Sequence, residues 1–565
     1  MTVDVPGSNP RTLLALASTA VALAAADTYV VVLALTDMMS GVGLGLDNLQ
    51  RAAPIISGFL LGYIAVLPLI GRLADVISRS RILLACLAIF VIGSGITALA
   101  VDLDVLVAGR VVQGIGGGGL VPATLALVAD LWPPGRRGMP LGIVGAVQEL
   151  GSVLGPLLGA AILIVADWRA IFWLNVVLGI LLAVAIAAVT RGTGEPDRGR
   201  PRVLTLLLGV LTVGLLWLTL AAPPSLATDV YLGLPFVPFT GDGRVLTPIG
   251  LVTAILALAL VVLTHRRWWP PLRDSDLPGA LMLGTALGCI VLTFSSADPE
   301  TEVVGPLGYA LLPVAVIAAL LYVWRHHTAA SPLVPRGTVR GRTGWALVIS
   351  LLVGVALVSV VVDVPLFSRL TTSGSQTDAA MELVKFLVAV PVGALLGGWI
   401  LRWVGDGLSA GVGLVLASGG LFVMSGWERG SLDTVGATII LAVVGLGLGM
   451  ALAPVNDSAL ADSPQDAHGT ASSLVVVSRM VGMVVGLALL TGVGLNRYYA
   501  AVDALPRDQQ TSGPALLDAA LLQVHTVFIG AAGAALVGAI LAFAFLGIRR
   551  REGSGSLARG FGVEE

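Results

Sequence analysis

GAVQELGSVLGPLLGA, residues Gly145–Ala160, is a glycine-rich apolar stretch that reads as one helix, with a single ionisable side chain, Glu149, near its start. It lies inside a hydrophobic run long enough to cross a bilayer. A carboxylate at membrane depth is costly, and where a partner can be named it marks function. The partner here is Arg479, in the similar stretch SSLVVVSRMVGM (Ser472–Met483). An internal ion pair between helices far apart in sequence points to a membrane protein with moving parts, and so to a transporter.

The whole chain agrees with that local reading. Its 565 residues are 56% hydrophobic and 12% charged, and the mean hydropathy is +0.95. An ordinary soluble domain carries about twice that share of charge. The class is therefore an all-α polytopic membrane protein. Cys86 and Cys289 both fall in apolar spans and read as small core residues rather than a disulfide framework or metal site. The segment Met1–Arg11 lacks a strongly basic start and leads into a full-length span, so no cleavable signal is read there.

Apolar runs place six spans at roughly 12–36, 52–73, 82–101, 104–130, 139–165 and 168–190. Four follow at roughly 203–222, 246–264, 278–296 and 305–324, and six more at roughly 343–367, 382–403, 408–427, 434–456, 467–495 and 518–548. The reading is about sixteen spans, with fourteen as the alternative if one central pair is lost. Arginines test the count, because loops rich in them stay cytoplasmic. They cluster in Ser78–Arg81, Pro133–Arg137, Arg191–Arg202, His265–Arg273, Arg325–Arg342 and Arg549–Arg551, and are sparse in the intervening loops. Alternation then holds throughout, with both termini cytoplasmic and the chain in the inner (plasma) membrane. The expected division is an N-terminal bundle over 1–190, a linker region with four extra helices over 191–342, a C-terminal bundle over 343–550 and a tail over 551–565.

Several motifs together resemble the major facilitator superfamily, in its drug:proton antiporter branch with extra central helices. GRLADVISRSR (Gly71–Arg81) resembles the superfamily loop motif G-x-L-A-D-r-x-G-r-k, departing from it at Val76, Ser78 and Ser80. LVAGRVVQGIGGGG (Leu106–Gly119) is similar to the fourth-helix motif with R-x-x-Q-G, and ADTYVVVLAL (Ala26–Leu35) to the first-helix motif centred on Asp. WRAIFWLN (Trp168–Asn175) resembles the start of the sixth helix. Gly142, Gly151, Gly155, Pro156 and Gly159 fit the antiporter motif of the fifth helix, with Ala160 for its last glycine. Within the branch, VVDVPLF (Val361–Phe367), FLVAVPVGALLGGWI (Phe386–Ile400) and HGTASSLVVVSRMVGM (His468–Met483) resemble mycobacterial triacylglyceride and multidrug exporters that work with a lipid-carrier lipoprotein. The resemblance implies two six-helix bundles and a hydrophobic cargo. It fails in the middle, where two linker helices are expected and four spans are read. The outer loop Asp229–Leu246 has strand-like residues and a GDG turn signal that suit a hairpin.

Depth then sorts the charges. Glu149 and Arg479 lie roughly 15 and roughly 18 Å along spans that both start inside, so both are near the midplane. The implied fold brings the fifth and eleventh helices of its two bundles together, so the pair is expected to form an ion lock between halves. Asp27 and Arg110 both fall in the outer half of the N-terminal bundle and form a candidate proton-coupling set. Asp363 and Lys385 fall near outer span ends and are a candidate outer gate. Asp75 is expected to latch onto the positive N-terminal end of the helix containing Arg479, with Arg79 and Arg81 in support.

Two cargo readings follow: proton-coupled export of a lipid such as triacylglyceride, or broad-specificity drug:proton antiport. A membrane-embedded lipid-modifying enzyme is the third reading. His265, His326, His327, His468 and His525 make no metal-ligand spacing, and neither a nucleophile elbow nor a P-loop is present. The expected partners are a lipid substrate, protons, membrane lipids and a periplasmic lipid-carrier lipoprotein. No nucleic acid, cofactor or metal is expected, and the chain is read as a monomer. An extended outer hairpin near 495–520 is expected to carry Leu516, Leu517, Leu521, Leu522, Tyr498 and Tyr499 as an apolar slide for a departing lipid.

Overall fold

In the computed structural model, the described residues are 9–44, 49–190, 203–229, 233–239, 243–295, 304, 308–371, 376–506, 510 and 512–547. Helices dominate because long apolar segments must satisfy their backbone polar groups internally when no water is at hand. Short polar residues start several of them: Asn9 accepts from the Arg11 amide at 3.1 Å, Asp102 from Val105 at 2.9 Å and Thr434 from Ala437 at 3.2 Å.

The first six helices are α1 (Pro10–Gly41), α2 (Leu49–Val76), α3 (Arg79–Leu99), α4 (Leu103–Leu131), α5 (Gly138–Val165) and α6 (Arg169–Thr190). The central helices are α7 (Val203–Ala221), the one-turn α8 (Pro224–Ala227), α9 (Pro248–Asp274), α10 (Leu277–Ser295) and α11 (Gly308–Thr328). The last six are α12 (Gly341–Thr371), α13 (Gln376–Val404), α14 (Asp406–Met424), α15 (Val435–Ala461), α16 (His468–Asp503) and α17 (Gly513–Phe545). Among the described residues, 15 helices are long and apolar enough to cross a membrane, and Leu207–Ala221 of α7 is a shorter apolar helix. The protein is multi-pass.

Helices α1–α6 form one bundle and α12–α17 another, each with α4 or α15 at its centre. The bundles repeat one packing device. Gly71 of α2 lies against Gly469 of α16, and Gly398 of α13 lies against Gly138 of α5, each carbonyl occupying the space a neighbour's Cβ would need. Only glycine permits that approach of two helices. The start of α3, the turn after α4 and the end of α13 place Arg81, Arg136, Arg137 and Arg402 on one face, which we call the basic face.

Of the central helices, α10 packs on both α2 and α16, and α11 packs on α10. Asp276, between α9 and α10, accepts hydrogen bonds from Arg325 Nε at 2.9 Å, the Leu333 amide at 3.1 Å and the Gly279 amide at 3.3 Å. That buried carboxylate ties the hairpin's basic end together. Helices α7 and α9 pair with each other, joined by the Thr219 and Thr253 hydroxyls at 3.0 Å.

Among its described residues the outer loop Asp229–Leu246 has no strand, and Gly241 and Asp242 of the expected hairpin turn lie outside them. Its described residues hold a 3-10 turn, Leu234–Phe236, and a backbone bond from the Phe239 amide to the Leu246 carbonyl at 2.8 Å. Pro235 and Pro238 lack the amide donors that a strand ladder requires. The linker 191–202, part of the turn near 507–511 and the tail 551–565 lie outside the described residues.

Candidate functional site

Glu149 and Arg479 meet as read from the sequence. Arg479 Nη1 lies 3.8 Å from Glu149 Oε1, joining α5 of one bundle to α16 of the other. At that separation the pair is an ion contact rather than a tight hydrogen bond. It stands between two cavities. One, of about 20 Å³, lies toward the basic face and is lined by Gln148, Ser350, Asn456 and Arg479 among others. The second, of about 100 Å³, lies toward the opposite face. Its wall is mostly apolar, with Phe59, Leu60, Leu357 and Met483 beside Tyr29 and Tyr63.

Asp27 and Arg110 also meet, but not in the cavity wall. Arg110 Nη1 donates to Asp27 Oδ2 at 2.5 Å and to Gln113 Oε1 at 2.7 Å, and Arg110 Nε donates to the Ile55 carbonyl at 3.2 Å. Gln113 Nε2 donates to Asp27 Oδ1 at 2.9 Å and to Ser94 Oγ at 2.8 Å, and Asn175 Nδ2 donates to Asp27 Oδ1 at 2.5 Å. The network takes one side chain or carbonyl from each of α1, α2, α3 and α6, and two side chains from α4. Asp27 and Arg110 are each 1% exposed. The Arg110 guanidinium also lies 4.5 Å from the Phe59 ring centroid, a cation–π contact. Gln113, Asn175 and Ser94 were not singled out by charge, since each is neutral. Their signal was position: Gln113 stands one turn after Arg110, and Asn175 is the lone amide in an apolar run.

Asp75 meets the start of α16. Its carboxylate accepts from the Gly469 amide at 2.6 Å, the Thr470 amide at 2.9 Å and Thr470 Oγ1 at 2.6 Å, capping α16. Arg79 stands 3.8 Å from Asp75 and 3.1 Å from Asp130. Arg81 is exposed at the start of α3. On the other seam Arg137 donates to the Trp132 and Ala129 carbonyls at 2.9 and 2.8 Å, and burial pulls its guanidinium below the usual arginine range.

The antiporter-motif glycines press α5 onto α1. A Cβ on Gly151, Gly155 or Gly159 would strike the Ala22 carbonyl, the Ala26 carbonyl or the Val30 side chain. Pro156 lies inside the same helix.

Asp363 and Lys385 do not form the expected outer gate. Lys385 Nζ binds Glu382 at 2.6 and 2.7 Å, one turn away on α13. Asp363 is 2% exposed inside the C-terminal bundle, and its Oδ2 has no hydrogen-bond partner. Similar depth put the two near one another, but helix rotation turns Asp363 inward and a nearer carboxylate takes the lysine.

The extended outer helices are present. α16 has 36 residues and α17 has 33, or roughly 54 and 50 Å, against about 30 Å for a hydrocarbon core. Of the expected slide residues, Tyr499 and Leu522 are exposed, whereas Leu521 is buried in the C-terminal core with Leu517 packed against it. Arg429 donates to the Pro514 carbonyl at 3.2 Å and pairs with Asp518, holding α17 to the loop after α14.

The chain is similar to known proteins in sequence and in fold. The chain is 37% identical to a triacylglyceride transporter of Mycolicibacterium hassiacum, over 94% of this chain and 91% of that one. It is 36% identical to a triacylglyceride transporter of Mycobacterium tuberculosis, over 86% and 83%. Among solved structures, the human organic anion transporter MFSD10 superposes with a TM-score of 0.55 at 14% identity, over 94% of this chain and 99% of that one. The proton:xylose symporter XylE superposes with a TM-score of 0.53 at 12% identity, over 95% and 96%. Residues 17–304 match the Major Facilitator Superfamily. By this match and these relatives the chain belongs to the major facilitator superfamily, and it is a transporter rather than an enzyme.

Proposed function

We propose that the protein is a proton-coupled, alternating-access exporter that moves triacylglyceride-like lipids from the inner membrane towards the periplasm. The carrying observation is the Glu149–Arg479 pair, which joins the bundles at the partition between two cavities. Breaking a buried ion pair by removing one charge costs about 3–5 kcal/mol. Protonation of Glu149 removes that charge, so a proton entering the apolar cavity releases the lock and lets the halves part.

The basic face is the cytoplasmic one in this reading, with both termini inside. The contacts of Asp75 with α16 and of Gly138 with Gly398 close that side, which makes the state outward-facing. The Asp27 network shapes α1 beside the cavity and holds a second carboxylate for proton coupling. The lipid cargo is supported by the apolar cavity wall, by the outer extension of α16 and α17, and by the triacylglyceride named for the mycobacterial relatives. The extension offers a path towards a periplasmic lipid-carrier lipoprotein. A drug:proton antiporter is the second reading, because the motif Gly151, Gly155, Pro156 and Gly159 that presses α5 onto α1 fits that branch equally.

The test is export of labelled triacylglyceride by reconstituted protein under an imposed proton gradient. Glu149→Gln and Arg479→Ala should each lower the rate at least about tenfold, and the double variant should be no worse than either alone. Gradient-independent transport, or losses that add as free energies, would refute the lock.

A further inference from the structure

The cavity facing away from the basic face contains polar groups that the ion lock does not use. Thr28 Oγ1 is committed to the Ala24 carbonyl at 3.0 Å, and Ser152 Oγ to the Glu149 carbonyl at 2.6 Å. Gln148 lines both cavities and so belongs to the partition. Tyr29 of α1 and Tyr63 of α2 remain. Both side chains line the cavity, and among the described residues neither hydroxyl has a hydrogen-bond partner in the protein. Tyr63 is 8% exposed. Neither hydroxyl is a fully buried polar atom, so both are open to the cavity and available to bond something that enters it.

Both rings are held from behind. The Tyr63 ring is 5.9 Å from Phe59, and Phe59 lies under the Arg110 guanidinium. Tyr29 follows Asp27 by two positions, about 200° around the helix. Asp27 is fixed inside the bundle while Tyr29 is turned to the cavity. The buried network thus orients both tyrosines without using their hydroxyls. Glu149 and Arg479 line the same cavity, so the tyrosines sit beside the lock.

A phenolic hydroxyl can donate to a neutral oxygen. A hydrocarbon chain offers no acceptor, but each acyl ester offers a carbonyl. We infer that Tyr29 and Tyr63 bind the ester carbonyls of the acylglycerol cargo and are its specificity-determining residues. Leu357, Met480 and Met483 supply the apolar wall against which its chains lie. The inference rests on the lipid-export reading and adds to it the chemical feature that is recognised: the ester group at the glycerol end.

The test compares triolein with its trialkyl ether analogue, equal in chain length but without carbonyls, as cargo for reconstituted full-length protein. Two neutral hydrogen bonds predict an ester-over-ether preference of about tenfold or more. Tyr29→Phe and Tyr63→Phe should each reduce that preference about threefold or more, and the double variant should erase it. Ether transport should stay within about twofold of wild type throughout, since phenylalanine keeps the ring packing. A preference that survives the double variant overturns the inference, as does a variant that loses ester and ether transport alike. Wild type that carries both lipids equally overturns the tyrosine role and leaves the export reading standing. Wild type that carries neither under an imposed gradient overturns both.

Discussion

Asp27 accepts three hydrogen bonds, from Arg110, Gln113 and Asn175, with every partner buried. A network this complete is sensitive to the loss of its charge more than to the loss of one donor. Asp27→Asn should destabilise the protein by about 3–5 kcal/mol, because it strands the Arg110 cation. Asn175→Ala should cost about 1–3 kcal/mol, because Asp27 keeps two other partners. Unfolding in detergent orders the two variants, and equal melting of both would show that the charge is not what matters. The same residues mark how far single positions can be read. Asp27, Arg110, Glu149 and Arg479 stand out as charges in apolar runs. Gln113 and Asn175 do not, since an amide is tolerated in many places. The error at Asp363 and Lys385 has the same origin: sequence supplies a charge's depth along a helix but not its rotation.

Among the helices, the two seams between the bundles are alike in packing and unlike in charge. Both use facing glycines, Gly71 with Gly469 and Gly138 with Gly398. Only the first adds a carboxylate cap, where Asp75 holds the first turn of α16. The position of Asp75 relative to Gly71 is taken by Arg402 relative to Gly398, each four residues on. Losing a helix-capping side chain costs about 0.5–2 kcal/mol, enough to shift a two-state balance severalfold to about thirtyfold. Asp75→Ala should therefore raise the fraction of molecules open on the basic face. Spin labels at the exposed positions Arg136 and Asp466, one on each bundle, should report a longer-distance population. An unchanged distance distribution would remove Asp75 from the latch. The cap was legible because G-x-L-A-D is a known motif and a helix N-terminus attracts carboxylates. The glycine pairing was not, since 71 glycines give no clue to which meet.

At the scale of the whole molecule, α16 and α17 carry the C-terminal bundle several turns beyond a bilayer core, and Arg429 braces α17 against the loop after α14. A small drug leaving the cavity does not need that extension, whereas a lipid that must stay out of water does. Removing residues 498–520 should reduce triacylglyceride export at least about tenfold while drug efflux stays within about twofold; a tenfold change reflects about 1.4 kcal/mol. Equal loss of both activities in a stably inserted protein, or undiminished lipid export, would refute the role of the extension. By itself the sequence determined that the chain crosses the membrane many times, which loops share a face, that two bundles flank extra central helices, and which charges lie at depth. Those properties follow from hydropathy, arginine placement and length, all of which are local along the chain. Tertiary structure alone decided that Asp27 is sealed in a five-helix network, that Lys385 turns to Glu382, that α10 spans α2 and α16, and that Tyr29 and Tyr63 face one cavity. The physical reason is that a helix in an apolar solvent satisfies its own backbone. Its rotation and neighbours are then left to side-chain packing between segments hundreds of residues apart.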